Sequence, residues 1–155
     1  MSTISAKIVV WILLAAVLVP TAHACKTTIR PLTLEMKENF LYGINDERRS
    51  KRRKPVVWND ALAELAQQIL AHTCTPVTGH KLTEGAYLAY CRYPGGFKPE
   101  AVADLCSYKM ATDEMMYITS KARLVGCAMT ICKGVFDSDD QSLCLLAPKI
   151  DMSES

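Results

Sequence analysis

The sequence predicts an α+β or three-layer domain stabilised by disulfides, and three observations point there. Two segments carry apolar residues at helical spacing, and two later segments alternate like strands with no long parallel pattern around them. Seven cysteines follow a leader that directs the chain out of the cell. With 50% hydrophobic residues and no internal repeat or low-complexity stretch, the chain has the composition of a globular protein.

Lys7 precedes an unbroken apolar run from Ile8 to Val19, then Pro20 and Ala22-His23-Ala24. Residues 1–24 read as a secretory signal peptide cleaved before Cys25, because twelve apolar residues are too few to span a bilayer. Cleavage leaves 25–155 as a single domain of 131 residues with room for one core, secreted and without a membrane span. Pro31 and Thr33 open a helix over 34–49, with Met36, Phe40, Leu41 and Ile44 inward and Glu35, Lys37 and Glu38 outward. Asn59 is the expected N-cap of a second helix whose stripe is Leu62, Leu65, Ala66, Ile69 and Leu70. His72 reads as a helix-end surface residue. From Cys74 to Gly96 the chain turns irregular, and the apolar piece 86–90 fits a strand or a helical turn. Pro99 fits the first turn of a short third helix over 100–108. Strands are expected at 125–131 and 142–146, joined by a loop carrying Asp137, Asp139 and Asp140.

All seven cysteines lie beyond the leader, and an odd number leaves Cys25 as the candidate for a free thiol or an intermolecular bridge. Cys127 and Cys132, five apart on one strand, point to opposite faces and are not expected to bond each other. They lack both a second cysteine or histidine pair for zinc and the two-residue spacing of a redox motif. Removing Lys7 leaves 17 basic against 16 acidic residues, a balance that argues against nucleic acid as a partner. One local exception is Arg48, Arg49, Lys51, Arg52, Arg53 and Lys54, six cations in seven positions. That run fits a solvated loop, a patch for heparin-like polyanions, or a dibasic processing site at Arg49-Ser50-Lys51-Arg52.

Three stretches, in order, resemble the CAP superfamily of secreted proteins, which includes pathogenesis-related proteins, venom allergens and worm secreted antigens. They are Trp58-Asn59-Asp60-Ala61-Leu62-Ala63-Glu64-Leu65-Ala66-Gln67 followed by Cys74, then Val125-Gly126-Cys127 with Cys132, then Cys144-Leu145-Leu146-Ala147-Pro148. Upstream, Ile44-Asn45-Asp46-Glu47-Arg48 is similar to the family's His-Asn-x-x-Arg, with Ile44 in the His place. The resemblance implies a three-layer α-β-α sandwich with a small antiparallel sheet. Expected bridges are Cys132 with Cys144, Cys74 with Cys127, and Cys91 with Cys106, although the sequence leaves the connectivity open.

Many members of that family hold a divalent cation on two histidines and two glutamates. Here His80 and Glu84 match one of each, while Met110 stands in the second histidine position and the third-helix glutamate falls near Ser107 or Tyr108. The resemblance therefore implies a degenerate cleft, with no metal and no cofactor. No serine sits in a nucleophile elbow and the cysteines are expected to be oxidised, so no enzymatic activity is expected. What remains is recognition of an extracellular or host protein, with roles such as immune modulation. The alternative is carriage of a lipid or sterol in a groove walled by Tyr87, Leu88, Tyr90, Tyr93 and Phe97.

Overall fold

The computed structural model describes residues 26–75, 81–83, 86–112, 121–134 and 138–148. In chain order the elements are β1 (Lys26–Arg30), α1 (Leu34–Ser50), β2 (Val57–Trp58), α2 (Asp60–Leu70), β3 (Lys81–Thr83), β4 (Ala86–Pro94), α3 (Pro99–Thr112), β5 (Leu124–Lys133) and β6 (Ser138–Ala147). The strands run in the order β1-β5-β6-β4-β3, each antiparallel to its neighbour, and β2 adds a short parallel pairing to β5. Helices α1 and α3 cover one face of this sheet and α2 covers the other, giving a three-layer α-β-α sandwich.

Local chemistry sets the helices. The Thr33 hydroxyl accepts the Met36 N–H at 3.2 Å to cap α1, and the Asn59 side chain accepts the Leu62 N–H at 3.0 Å to cap α2. Met36, Phe40 and Ile44 recur every fourth residue along α1 and are fully buried, each worth about 1.5–3 kcal/mol in transfer terms. They pack with Val102, Cys106 and Met110 of α3 against Val125, Cys127 and Met129 of β5. On the far face, Ala66 and Leu70 of α2 meet Leu88, Ala128, Leu143 and Leu145. The central strands are thus covered on both sides, which explains the nearly continuous apolar run Leu143 to Ala147.

Gly126 lets α2 sit directly on β5. A Cβ there would lie 2.6 Å from the Asn59 carbonyl oxygen and 2.6 Å from the Leu62 carbonyl carbon, and would overlap the Ala63 nitrogen. Beside it, a buried polar network fastens the end of α2 to the sheet. The Gln141 amide donates to Thr73 O at 2.8 Å and to Thr130 Oγ1 at 2.9 Å, and accepts from the Tyr90 hydroxyl at 2.9 Å.

Among the described residues three bridges are present: Cys74–Cys132, Cys91–Cys106 and Cys127–Cys144. Only Cys91–Cys106 matches the expected pairing; the other four cysteines exchange partners. The register of the β5–β6 hairpin is the reason, since Cys127 stands opposite Cys144, at a Cα separation of 4.0 Å, while Cys132 stands opposite Asp139. Cys132 does point to the other face, where the chain leaving α2 delivers Cys74.

Other expectations are corrected by cross-strand pairing. Asp139 and Asp140 lie within β6 rather than in a loop, where Asp139 pairs with Arg92 and buried Asp140 accepts from Arg30 at 2.9 Å. The 86–90 piece is a strand, extended to Pro94 by its pairing along β6. Strands β1, β2 and β3 were not anticipated, and α3 runs four residues past the expected end at 108, to Thr112.

Candidate functional site

The residues expected to form a degenerate cleft divide between described and undescribed parts of the chain. His80 and Glu84 lie outside the described residues, as do Cys25 and the expected leader, residues 1–24. Met110 is buried in the core beneath α1, and Ser107 is buried with its hydroxyl donating to the Asp104 carbonyl at 2.6 Å. Tyr108 faces outward. Among the described residues no three His, Cys, Asp or Glu side chains are grouped to hold a metal ion.

The five groove candidates separate across the sheet. Leu88 and Tyr90 pack on the α2 side, and Tyr90 is committed to Gln141, where burial pushes its phenol pKa up. Tyr93 packs on the opposite side and meets Phe97 edge to face at 6.3 Å, with the Lys109 ammonium 5.7 Å from the Tyr93 ring. Tyr87 is half-buried. β-Strand alternation accounts for this division.

The basic run resolves into two roles. Arg48 is not part of the exposed patch: it is buried, donating from Nε to Lys54 O at 2.8 Å and from a terminal nitrogen to Ala122 O at 3.1 Å. Burial, then the nearby Arg123 and Arg53 charges, lower its pKa. The five remaining cations, Arg49, Lys51, Arg52, Arg53 and Lys54, are exposed. They ride on a tight turn closed by the Arg52 N–H to Arg49 O at 2.9 Å and the Arg53 N–H to Arg48 O at 2.8 Å.

A cavity of about 480 Å³ opens where the sheet is interrupted, in the size range of small-ligand sites. β1 ends at Arg30 opposite Met129, and β2 ends at Trp58 opposite Val125, so neither strand lies opposite Cys127. The Asn59 N–H donates to Val125 O at 2.8 Å, which fixes the direction of that edge, and Cys127, two residues on, turns its backbone N–H and C=O the same way. Arg30, Lys37, Trp58, Asp60, Glu64 and Gln67 complete the walls. The Trp58 indole donates to Asp60 at 3.0 Å, and the Lys37 ammonium lies 5.5 Å from the indole ring and 3.4 Å from the same carboxylate. These contacts, the indole bond first, hold the Asp60 carboxyl below its ordinary pKa. Arg30 Nε is buried and has no hydrogen-bond partner among the described residues. This site was missed from sequence because its walls come from four separated segments, and only the Trp58-Asn59-Asp60 stretch drew attention.

The architecture now stands beside solved structures. Ancylostoma-secreted protein Ac-ASP-7 superposes with a TM-score of 0.52 at 13% identity, covering 80% of this chain and 75% of that one. The hookworm platelet inhibitor gives a TM-score of 0.51 at 15% identity, covering 77% of this chain and 72% of that one. The chain has the CAP fold. No protein-family profile matches the sequence, and no curated protein matches it. At these identities the likeness is one of fold, and it agrees with the resemblance carried by the three sequence stretches.

Within that CAP fold, the Trp58-Asn59-Asp60 stretch opens α2, Val125-Gly126-Cys127 lies in β5 under that helix, and Cys144 to Ala147 lies in β6 at the centre of the sheet. Two of the four positions that the resemblance assigns to a divalent site, His80 and Glu84, lie outside the described residues. Zinc takes three or four nitrogen, sulfur or oxygen ligands, and Met110 offers a buried thioether where the resemblance places an imidazole.

Proposed function

We propose that the protein works outside the cell as a non-catalytic binding protein that recognises an extracellular or host protein. The observation that carries this reading is the full burial of Met110 among Val102, Ala103 and Cys106, at the position where the sequence resemblance places a cation-binding histidine. A side chain packed in the core neither titrates nor reaches a substrate, and the Ser107 hydroxyl beside it is engaged with its own helix. Support for an extracellular setting comes from the three bridges and the leader-like segment ahead of them. The shared fold with the hookworm platelet inhibitor, whose name records an action on platelets, suggests cell-surface proteins as the first targets to screen.

The test uses the secreted, fully oxidised protein. Calorimetric titrations with Zn²⁺, cholesterol and palmitate run beside interferometry against a panel of extracellular proteins. Saturable binding to a protein, with no heat from the other three, is the expected outcome. Zinc binding at micromolar affinity or tighter would overturn the argument from Met110. Saturable lipid binding would replace protein recognition with the carrier reading.

A further inference from the structure

The exposed basic turn after α1 does not stand alone. Buried Arg48 bonds both to Lys54 O and to Ala122 O, which ties the turn to the segment entering β5. That contact brings the Ala122 backbone, flanked in the chain by exposed Lys121 and by Arg123, up to the anchor of the turn. The electrostatic effect of both Arg53 and Arg123 on Arg48 reflects the same closeness. Cations from two distant segments therefore share one surface, a grouping invisible in the linear run.

Charge compensation within this surface is incomplete. Arg49 pairs with Asp46 at 3.2 Å and Lys51 with Glu47 at 3.9 Å. Among the described residues, Arg52, Arg53, Lys54 and Lys121 have no carboxylate at ion-pair distance. Holding four such charges together raises the energy of the free protein, and a multivalent anion relieves that repulsion. The turn is also shaped in advance. Its backbone bonds and the Arg48 anchor fix the cations on a closed loop, so little chain entropy is lost on binding. Between Arg49 and Lys54 there is no apolar or aromatic side chain, the usual anchor of a protein interface, whereas guanidinium groups match the planar oxygen pairs of sulfate and phosphate groups.

We infer that Arg52, Arg53 and Lys54, together with Lys121 and Arg123 from the β5 approach, form a binding surface for a sulfated polysaccharide of the heparin class. Such a surface would hold the protein on extracellular matrix or cell-surface glycans while another face meets its target. The inference rests on the reading that the protein works by binding outside the cell. The two fail separately: lipid carriage would overturn that reading and leave glycan binding intact.

The experiment measures binding of heparin, chemically desulfated heparin and polyglutamate to the intact oxidised protein across a salt series. Heparin should bind at about 0.15 M salt, with log affinity falling linearly in log salt, as counterion release requires. Arg52→Ser/Arg53→Ser/Lys54→Ser should weaken binding at least about tenfold with an unchanged melting temperature. Lys121→Ser, outside the linear run, should weaken it about two- to threefold by itself. Retained affinity in the triple variant would overturn the proposal, as would equal binding of desulfated heparin. Polyglutamate binding tighter than heparin would replace the glycan with an acidic protein segment. A silent Lys121→Ser would remove the β5 approach from the surface.

Discussion

Replacing Gly126 with alanine tests the contact on which the α2 layer depends. In an ordinary strand or loop position, Gly→Ala stabilises a protein by about 0.4–1 kcal/mol because it restricts the unfolded chain. Here the added methyl would meet backbone on three sides: the Asn59 oxygen and Leu62 carbonyl carbon at 2.6 Å and, closer still, the Ala63 nitrogen. Carbon atoms pack without strain at about 3.5–4.0 Å, so α2 must retreat by roughly 1 Å. No flexible side-chain tip can absorb that movement, and the retreat thins the packing of Ala66 and Leu70 on Leu143 and Leu145. Overpacking of this kind costs about 1–3 kcal/mol, and a backbone-on-backbone clash belongs at the upper end. For a domain of this size about 3 kcal/mol lowers the melting temperature by roughly 10 °C. Thermal unfolding of the oxidised variant, followed by circular dichroism beside wild type, reads the shift directly. A fall of less than about 3 °C, or any rise, would refute the close docking of α2 on β5.

Peptide mapping without reduction should recover Cys74–Cys132, Cys91–Cys106 and Cys127–Cys144. By loop-closure entropy, replacing the Cys74–Cys132 pair, 58 residues apart, should cost about 4 kcal/mol, against about 3 kcal/mol for the 15- and 17-residue loops. Urea denaturation of the double-alanine variants gives that order. Arg48→Met removes the Nε donor to the Lys54 carbonyl and leaves the Ala122 carbonyl to Arg123 alone, and should lose about 2 kcal/mol in a urea titration; Arg48→Lys should not restore it because an ammonium lacks the forked reach. For Asp60 the folded pKa is depressed, so its stabilising effect is present above the ordinary carboxylate pKa and is lost as pH falls through the folded value. Asp60→Asn should accordingly show a flatter loss of melting temperature than wild type below about pH 4.

The helices were legible in the sequence because each satisfies its own local rules. Thr33 and Asn59 cap them, and Met36, Phe40 and Ile44 or Ala66 and Leu70 repeat at a period that points to one face. The sheet was read less well. β1, with Lys26, Thr27 and Thr28 ahead of Ile29, has no internal alternation strong enough to mark it, and its pairing with β5 is a decision of tertiary structure. Asp139 and Asp140 looked like loop residues because isolated acids break strands, whereas Arg92 and Arg30 neutralise them across the sheet. Bridge pairing failed for the same reason: spacing along β5 tells which face a cysteine takes, while register against β6 tells which partner it meets. The cavity at Trp58 depends on where β1 stops and β2 starts, and Lys121 joins the basic turn only through Arg48, so neither assembly has a signature in any single stretch.

None of the three described bridges reaches back past Cys74. Among the described residues the cross-links therefore fall in a body from Cys74 to Cys144, which β1, α1 and α2 clasp through packing and hydrogen bonds. Opening of the clasp need not disturb the cross-linked strands, so amide exchange should be fastest to reach α1 and α2 and slowest in β5 and β6. A single cut in the basic turn would turn that clasp into a fragment carrying β1 and α1, retained by Met36, Phe40, Ile44 and five rungs of strand pairing.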